Sequence, residues 1–173
     1  IKDKFKFSLG QIISGKENRN MPSKSTLNEK LSDVIGEASF NFNDNFKISS
    51  DFLLDQNLKE FNKNKINLDL VYPSTVFNVS YLEESQHIGN QKYIQSKAGF
   101  NFRNGQLTFD AKRNLLTNSA EFYDLSYQYI NDCLKAGIAF RREFYKDKDL
   151  EPEDSLIFRI TFSPLGTIST HSN

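Results

Sequence analysis

The sequence predicts an all-β fold: an antiparallel transmembrane β-barrel, represented here by a run of about ten strands. Three observations predict it. Apolar and polar residues alternate with a period of two along most of the 173 residues. The alternating segments are about nine to twelve residues long, close to the ~9–11 with which a tilted strand crosses a bilayer. Short turns and long polar connections alternate along the chain, as they do where short turns line the periplasmic rim and long loops face outward.

Each strand is read from its two faces. Phe5, Phe7 and Leu9 alternate with Lys4, Lys6 and Ser8, and Ala38, Phe40 and Phe42 with Glu37, Ser39 and Asn41. Phe46, Ile48, Phe52 and Leu54 oppose Lys47, Ser49, Asp51 and Asp55; Ile66, Leu68, Leu70 and Tyr72 oppose Asn67 and Asp69. Phe77, Val79 and Tyr81 oppose Asn78 and Ser80, and Ala98, Phe100 and Phe102 oppose Lys97, Gly99 and Asn101. Leu107, Phe109 and Ala111 oppose Thr108, Asp110 and Lys112; Tyr123, Leu125, Tyr127 and Tyr129 oppose Asp124, Ser126 and Gln128. Leu134, Ala136, Ile138 and Phe140 alternate with Lys135, Gly137, Ala139 and Arg141. The clearest pattern comes last, where Leu156, Phe158, Ile160 and Phe162 alternate with Ile157, Arg159 and Thr161. No segment sustains a helical period.

The turns carry their own chemistry. Asp44-Asn45, Pro73-Ser74-Thr75, Asn104-Gly105 and Asn131-Asp132 are short and rich in turn formers. Asn-Gly suits a tight hairpin because both positions tolerate positive φ. Between them lie longer polar connections at 14–32, 57–64, 83–92, 114–119 and 146–153. The parity of these connections predicts a periplasmic C-terminus. A soluble β-sandwich also alternates, but strand length, loop parity and the mixed Lys, Asp, Asn and Ser face favour a wet lumen.

Composition agrees. Hydrophobic residues make up only 38%, yet there are 16 Phe and 7 Tyr, which argues against disorder and suits a barrel that is oily outside and polar inside. The 22 basic and 22 acidic residues cancel, leaving no basic excess for nucleic acid. Two His and one Cys do not supply a zinc site of ordinary spacing, and nothing points to another metal or a cofactor. The chain lacks an initial Met and an apolar leader, and strand pattern starts at Phe5, so the sequence reads as a portion of a longer protein.

The segment from Asp132 to Tyr145, DCLKAGIAFRREFY, is distinctive. It is followed by the charged run Lys146–Asp154, the strand Ser155–Phe162, and Pro164-Leu165-Gly166. These stretches resemble the C-terminal end of the LPS-assembly protein family LptD, particularly its alphaproteobacterial type. The likeness is closest over about Tyr123–Gly166. The resemblance implies that residues 1–173 are the C-terminal portion of a larger outer-membrane barrel. It implies transport and not catalysis: insertion of lipopolysaccharide into the outer leaflet, with an LptE-like lipoprotein as partner and periplasmic LPS-bridge proteins reached through an N-terminal domain. Leu156, Phe158, Ile160 and Phe162 would then lie on the closing strand of a lateral gate. A generic porin or receptor barrel for small solutes is the alternative.

Two further sites follow. Loop parity puts Cys133 at a periplasmic turn, where a lone thiol is either unpaired or bridged to a cysteine elsewhere in the protein. The family carries a cysteine pair at this place, cross-linked to the N-terminal domain. Asp132 stands before Cys133 here, so one cross-link is implied. The lumen set Glu37, Lys47, Asp51, Asp69, Lys97, Asp110, Lys112, Asp124, Lys135, Arg141 and Arg159 mixes charges of both signs that largely offset one another, and it is a candidate contact surface for the sugar or the lipoprotein. His87, near Glu83, Glu84 and Ser85, raises an outer-membrane hydrolase, but no hydrolase signature surrounds it.

Overall fold

A computed structural model of the chain describes residues 4–17, 20–21, 26–85, 89–144 and 153–162, and the backbone of 166–172. The strands are β1 (Phe5–Gly10), β2 (Val34–Asn41), β3 (Phe46–Leu54), β4 (Phe61–Tyr72), β5 (Thr75–Glu84), β6 (Gln91–Phe102), β7 (Gly105–Asn114), β8 (Ser119–Ile130), β9 (Leu134–Glu143), β10 (Glu153–Phe162) and β11 (Gly166–Ser172). They lie in one sheet in sequence order, each hydrogen-bonded to its neighbours in the chain. There is no helix among the described residues.

The ten expected strands are present as β1–β10. An eleventh, β11, follows and pairs antiparallel with β10 from Phe162↔Gly166 to Leu156↔Ser172. Its sequence, GTISTHS, has no apolar alternation to betray it. Backbone pairing onto β10 makes the strand. β10 thus has a neighbour on each side, β9 and β11. β4 also starts earlier than expected, at Phe61, through the polar stretch Asn62-Lys63-Asn64-Lys65. Ser85 N donates to Asn62 O at 2.9 Å, so the ladder continues where side-chain polarity gives no sign of it.

The chain divides into two compact units, residues 1–69 with 80–94, and residues 70–79 with 95–173. In the first unit, cross-strand rows place Phe5, Phe40 and Ile48 together, and Leu9, Gly36 and Phe52 together. The tip of the Phe52 ring covers Gly36, where an added Cβ would overlap Phe52 Cζ and Cε2. Gly36 is therefore required by packing. A second ring, Phe61, meets Phe52 edge-on at 6.0 Å.

The long connection between β1 and β2 is pinned. Ile13 bridges Leu31, and Ser32 exchanges hydrogen bonds with Ile12 through both backbone and hydroxyl. Behind it sits a buried polar knot. Asn62 Nδ2 donates to Asp33 Oδ2 at 2.8 Å, with Asp33 3% and Asn62 8% exposed. Asp33 N donates to Thr26 Oγ1 at 2.9 Å. Asp33 and Asn62 thus partner each other, which offsets the cost of removing them from water.

Turns repeat one device. Asn43 Oδ1 accepts from Asn45 N and Phe46 N, Asn114 Oδ1 from Leu116 N and Thr117 N, and Asn131 Oδ1 from Cys133 N and Leu134 N. Asp55 does the same for Lys59 N at 2.6 Å and Glu60 N at 3.3 Å. The Lys59 amide, above all, holds the Asp55 carboxyl below its ordinary pKa. A strand-ending Asx side chain thus satisfies amides that the ladder leaves open. The Asn104-Gly105 hairpin differs from expectation. The turn is Arg103-Asn104, Gly105 opens β7, and neither Asn104 nor Gly105 has positive φ. Gly105 is instead buried under Tyr127, whose hydroxyl would lie 3.0 Å from a Cβ there.

Gly36→Ala is expected to destabilise the first unit by about 1–3 kcal/mol through overpacking. The check is heat-modifiable mobility of the full-length protein on SDS gels. Phe52→Leu in the same chain should restore much of the loss; no effect of Gly36→Ala alone would show that the ring does not hold this position.

Candidate functional site

The functional surfaces are the two faces of the sheet. Directly opposed residues in antiparallel strands share a face, so the registers assign them. In the second unit one face carries Phe109, Leu125, Phe140 and Leu156 in one row. Leu107, Tyr127, Ile138 and Phe158 form the next, and Tyr129, Ala136 and Ile160 the one after. This face is open: Leu125 is 47% exposed, Phe140 41% and Phe158 46%. Among the described residues Leu82 is the one buried apolar side chain. A soluble β-sandwich would bury this face against a second sheet, but all eleven strands are in one sheet.

Aromatic residues mark the rims. Phe42, Tyr72 and Phe102 stand just before short turns and are exposed, and Phe162 closes β10. At the opposite end Tyr123 meets Phe144 edge-on at 5.5 Å. Arg142, opposite Tyr123, lies over the Phe144 ring at 5.4 Å and pairs with Asp154 at 3.4 Å. An apolar band between aromatic girdles, with a cation at the rim, is the outer surface of a membrane barrel.

The other face is polar and ionic. Asp110, Asp124 and Arg141 occupy one row. The two opposed carboxylates are offset by cations: Lys97 Nζ reaches Asp110 at 3.2 Å, and Arg141 reaches Asp124 at 3.9 Å and Glu143 at 2.5 Å. Gln95 Nε2 donates to Asp110 Oδ1 at 2.8 Å. Phe122 also faces this side, with Arg141 4.8 Å above its ring. Strict alternation misses this arrangement. A bulge between Lys112 and Arg113 leaves Glu121 as the extra residue of β8, and its carboxylate sits 2.6 Å from Lys112 Nζ. The structure thus gathers Lys97, Asp110, Lys112, Asp124 and Arg141 of the expected lumen set. Glu37 and Asp51 face each other separately in the first unit.

In β7–β10 the polar face nearer the short turns carries two charges, Lys135 and Arg159, among the described residues. Gln106, Gln128, Gly137 and Arg159 form one row, flanked by Thr108 and Ser126, whose hydroxyls bond at 2.5 Å. A cleft of about 260 Å³ opens over Gly137 and is lined by these residues together with apolar ones, Ala139 and Ile157 among them.

The remaining expected sites are placed as follows. Cys133 is exposed in the turn between β8 and β9. Leu156, Phe158, Ile160 and Phe162 share the apolar face of β10, one strand in from the edge. His87, most of the charged run at 146–152 and Pro164-Leu165 lie outside the described residues. His171 is in β11, opposite Ile157.

A single sheet with an exposed apolar band and a polar, ion-paired reverse face defines a strand run of the transmembrane β-barrel class. Residues 2–132 match the sequence model of the family LptD, LPS transport system D, and the chain belongs to that family. No curated protein matches the chain. The match covers β1–β8 and ends at Asp132, so it is independent of most of the Tyr123–Gly166 segment that carried the resemblance. The chain is therefore an outer-membrane protein of lipopolysaccharide transport and assembly.

Leu125→Arg, in mid-strand on the apolar face, is expected to cost about 2–4 kcal/mol of folding stability in lipid. Ser126→Arg, one residue along and facing the other way, should cost far less. Urea unfolding of the full-length protein in vesicles measures both; equal losses would contradict the assignment of faces.

Proposed function

We propose that residues 1–173 form the C-terminal portion of the barrel domain of an LptD-type translocon. With an LptE-like lipoprotein in its lumen, it inserts lipopolysaccharide into the outer leaflet. The family match over residues 2–132 carries this reading. The sheet supports it: β1 and β11 each have one neighbour, and an edge of unpaired amides and carbonyls in lipid calls for further strands. The short turns, Cys133 among them, face the periplasm in this reading, and the long connections face outward. Lipopolysaccharide-bridge proteins engage the N-terminal periplasmic domain.

The lateral gate lies at the C-terminal edge. β10 presents Leu156, Phe158, Ile160 and Phe162 to lipid, and β11 pairs with it along Leu156–Phe162. A seam between strands at a sheet edge is opened by breaking one ladder of hydrogen bonds. Cys133 is exposed at its turn, and in this reading it forms one disulfide with the N-terminal domain.

Depletion of the full-length protein should remove lipopolysaccharide from the cell surface. Normal surface lipopolysaccharide with reduced small-solute uptake would instead favour a porin. Cys133→Ser is expected to change mobility on non-reducing gels relative to wild type; identical mobility would count against the cross-link.

A further inference from the structure

Two features mark the cleft over Gly137 on the polar face of β7–β10. The first is its glycine. Gly36 is fixed by the Phe52 ring, and Gly105 is crowded by Tyr127. At Gly137 an added Cβ would come no closer than 3.5 Å, to Tyr127 O, which is ordinary van der Waals contact. Neither packing nor a turn explains a glycine in the interior of β9. A strand glycine without such a reason leaves the backbone open to approach, as it also does at Gly99 in β6, where an added Cβ would meet nothing within 4 Å.

The second is its cation. Lys97, Lys112 and Arg141 on this face each hold a carboxylate. Arg159 has no ion-pair partner among the described residues. Its neighbours cannot supply one: Gly137 stands opposite on β9, and β11, on the other side, contains no Asp or Glu. Lys135, the next cation on this face, stands opposite Thr161 and Ile130. Gln106 and Gln128 complete the row with amide donors.

We propose that this cleft is an anion subsite that receives a phosphate group of the glycolipid's sugar as it nears the C-terminal edge of the sheet. The proposal rests on the transport reading above. Arg159 supplies a planar fork that meets two phosphate oxygens at once. Gln106 and Gln128 donate from one side, and the bare backbone at Gly137 gives the sugar room. Lys135 adds a second positive charge towards the short turns, the rim from which the periplasmic substrate enters. The neighbouring Lys97–Asp110 and Arg141–Glu143 pairs are already neutralised, so an anion is drawn to this end of the face and not to the middle.

The test uses the full-length protein, with its lipoprotein partner, in nanodiscs. The probes are purified lipopolysaccharide and the same material dephosphorylated by phosphatase. Arg159→Gln should weaken binding of the phosphorylated probe about tenfold, the scale of a lost charge-assisted hydrogen bond, and leave the dephosphorylated probe within twofold. Arg159→Lys should retain part of the affinity. Gly137→Val keeps the charge but fills the cleft, and should weaken binding of both probes. Arg113→Gln, which loses a bond to Asn118 away from the cleft, serves as the control. Heat-modifiable mobility certifies folding of each variant. Should Arg159→Gln fail to fold, the Arg159→Lys and Gly137→Val pair decides. Equal losses for both probes in Arg159→Gln, or no loss in Gly137→Val, would overturn the subsite. If wild type binds neither probe, it is the transport reading that fails.

Discussion

Backbone hydrogen bonding within one sheet is the constraint on which the rest of this protein depends. A strand in lipid has no water to satisfy its amides and carbonyls, so each must pair with a neighbouring strand. The chain meets this requirement with the simplest connectivity, every strand beside its sequence neighbours. That connectivity needs only short turns on one rim, and strand-ending Asx residues cap the amides that the ladder leaves open. It also frees side chains from making a core, since cohesion comes from the ladder and from rows of cross-strand neighbours.

The two faces follow from the same constraint. The strand period of two sends alternate side chains to opposite solvents. One face solvates itself in hydrocarbon with Phe, Leu, Ile and Tyr. The other is wet, and its carboxylates are tolerated because cations lie beside them. Asp110 and Asp124, directly opposed, would repel without Lys97 and Arg141. Large rings on an open face also need somewhere to lie, and glycine provides it. Phe52 over Gly36 and Tyr127 over Gly105 are the same solution on two strand pairs.

Away from the apolar band, polar burial takes over. The Asp33–Asn62 pair and the bonds through Ser32 hold the β1–β2 connection against the sheet. A connection that reads as a polar loop is thereby given a fixed root. In the second unit the charged pairs at the long-connection ends of β7, β8 and β9 stand where water is near and ionic groups are inexpensive to hold.

The sequence by itself determined the all-β class, the positions of ten strands, the two faces and the alternation of short and long connections. All of these are local: a period of two and a turn residue can be read within a few positions. Tertiary structure alone decided the eleventh strand, the early start of β4, the bulge at Glu121 and the roles of the glycines. β11 has no apolar alternation, and it is a strand only because β10 offers a free ladder edge. Phe122 faces the polar side by register, and Glu121 is brought beside Lys112 by one extra residue whose effect depends on the neighbouring strand. Gly36, Gly105 and Gly137 are identical as letters. What distinguishes them is the residue across the sheet — a ring, a ring, and Gln128 at ordinary contact distance — and cross-strand register is a non-local property that no single segment contains.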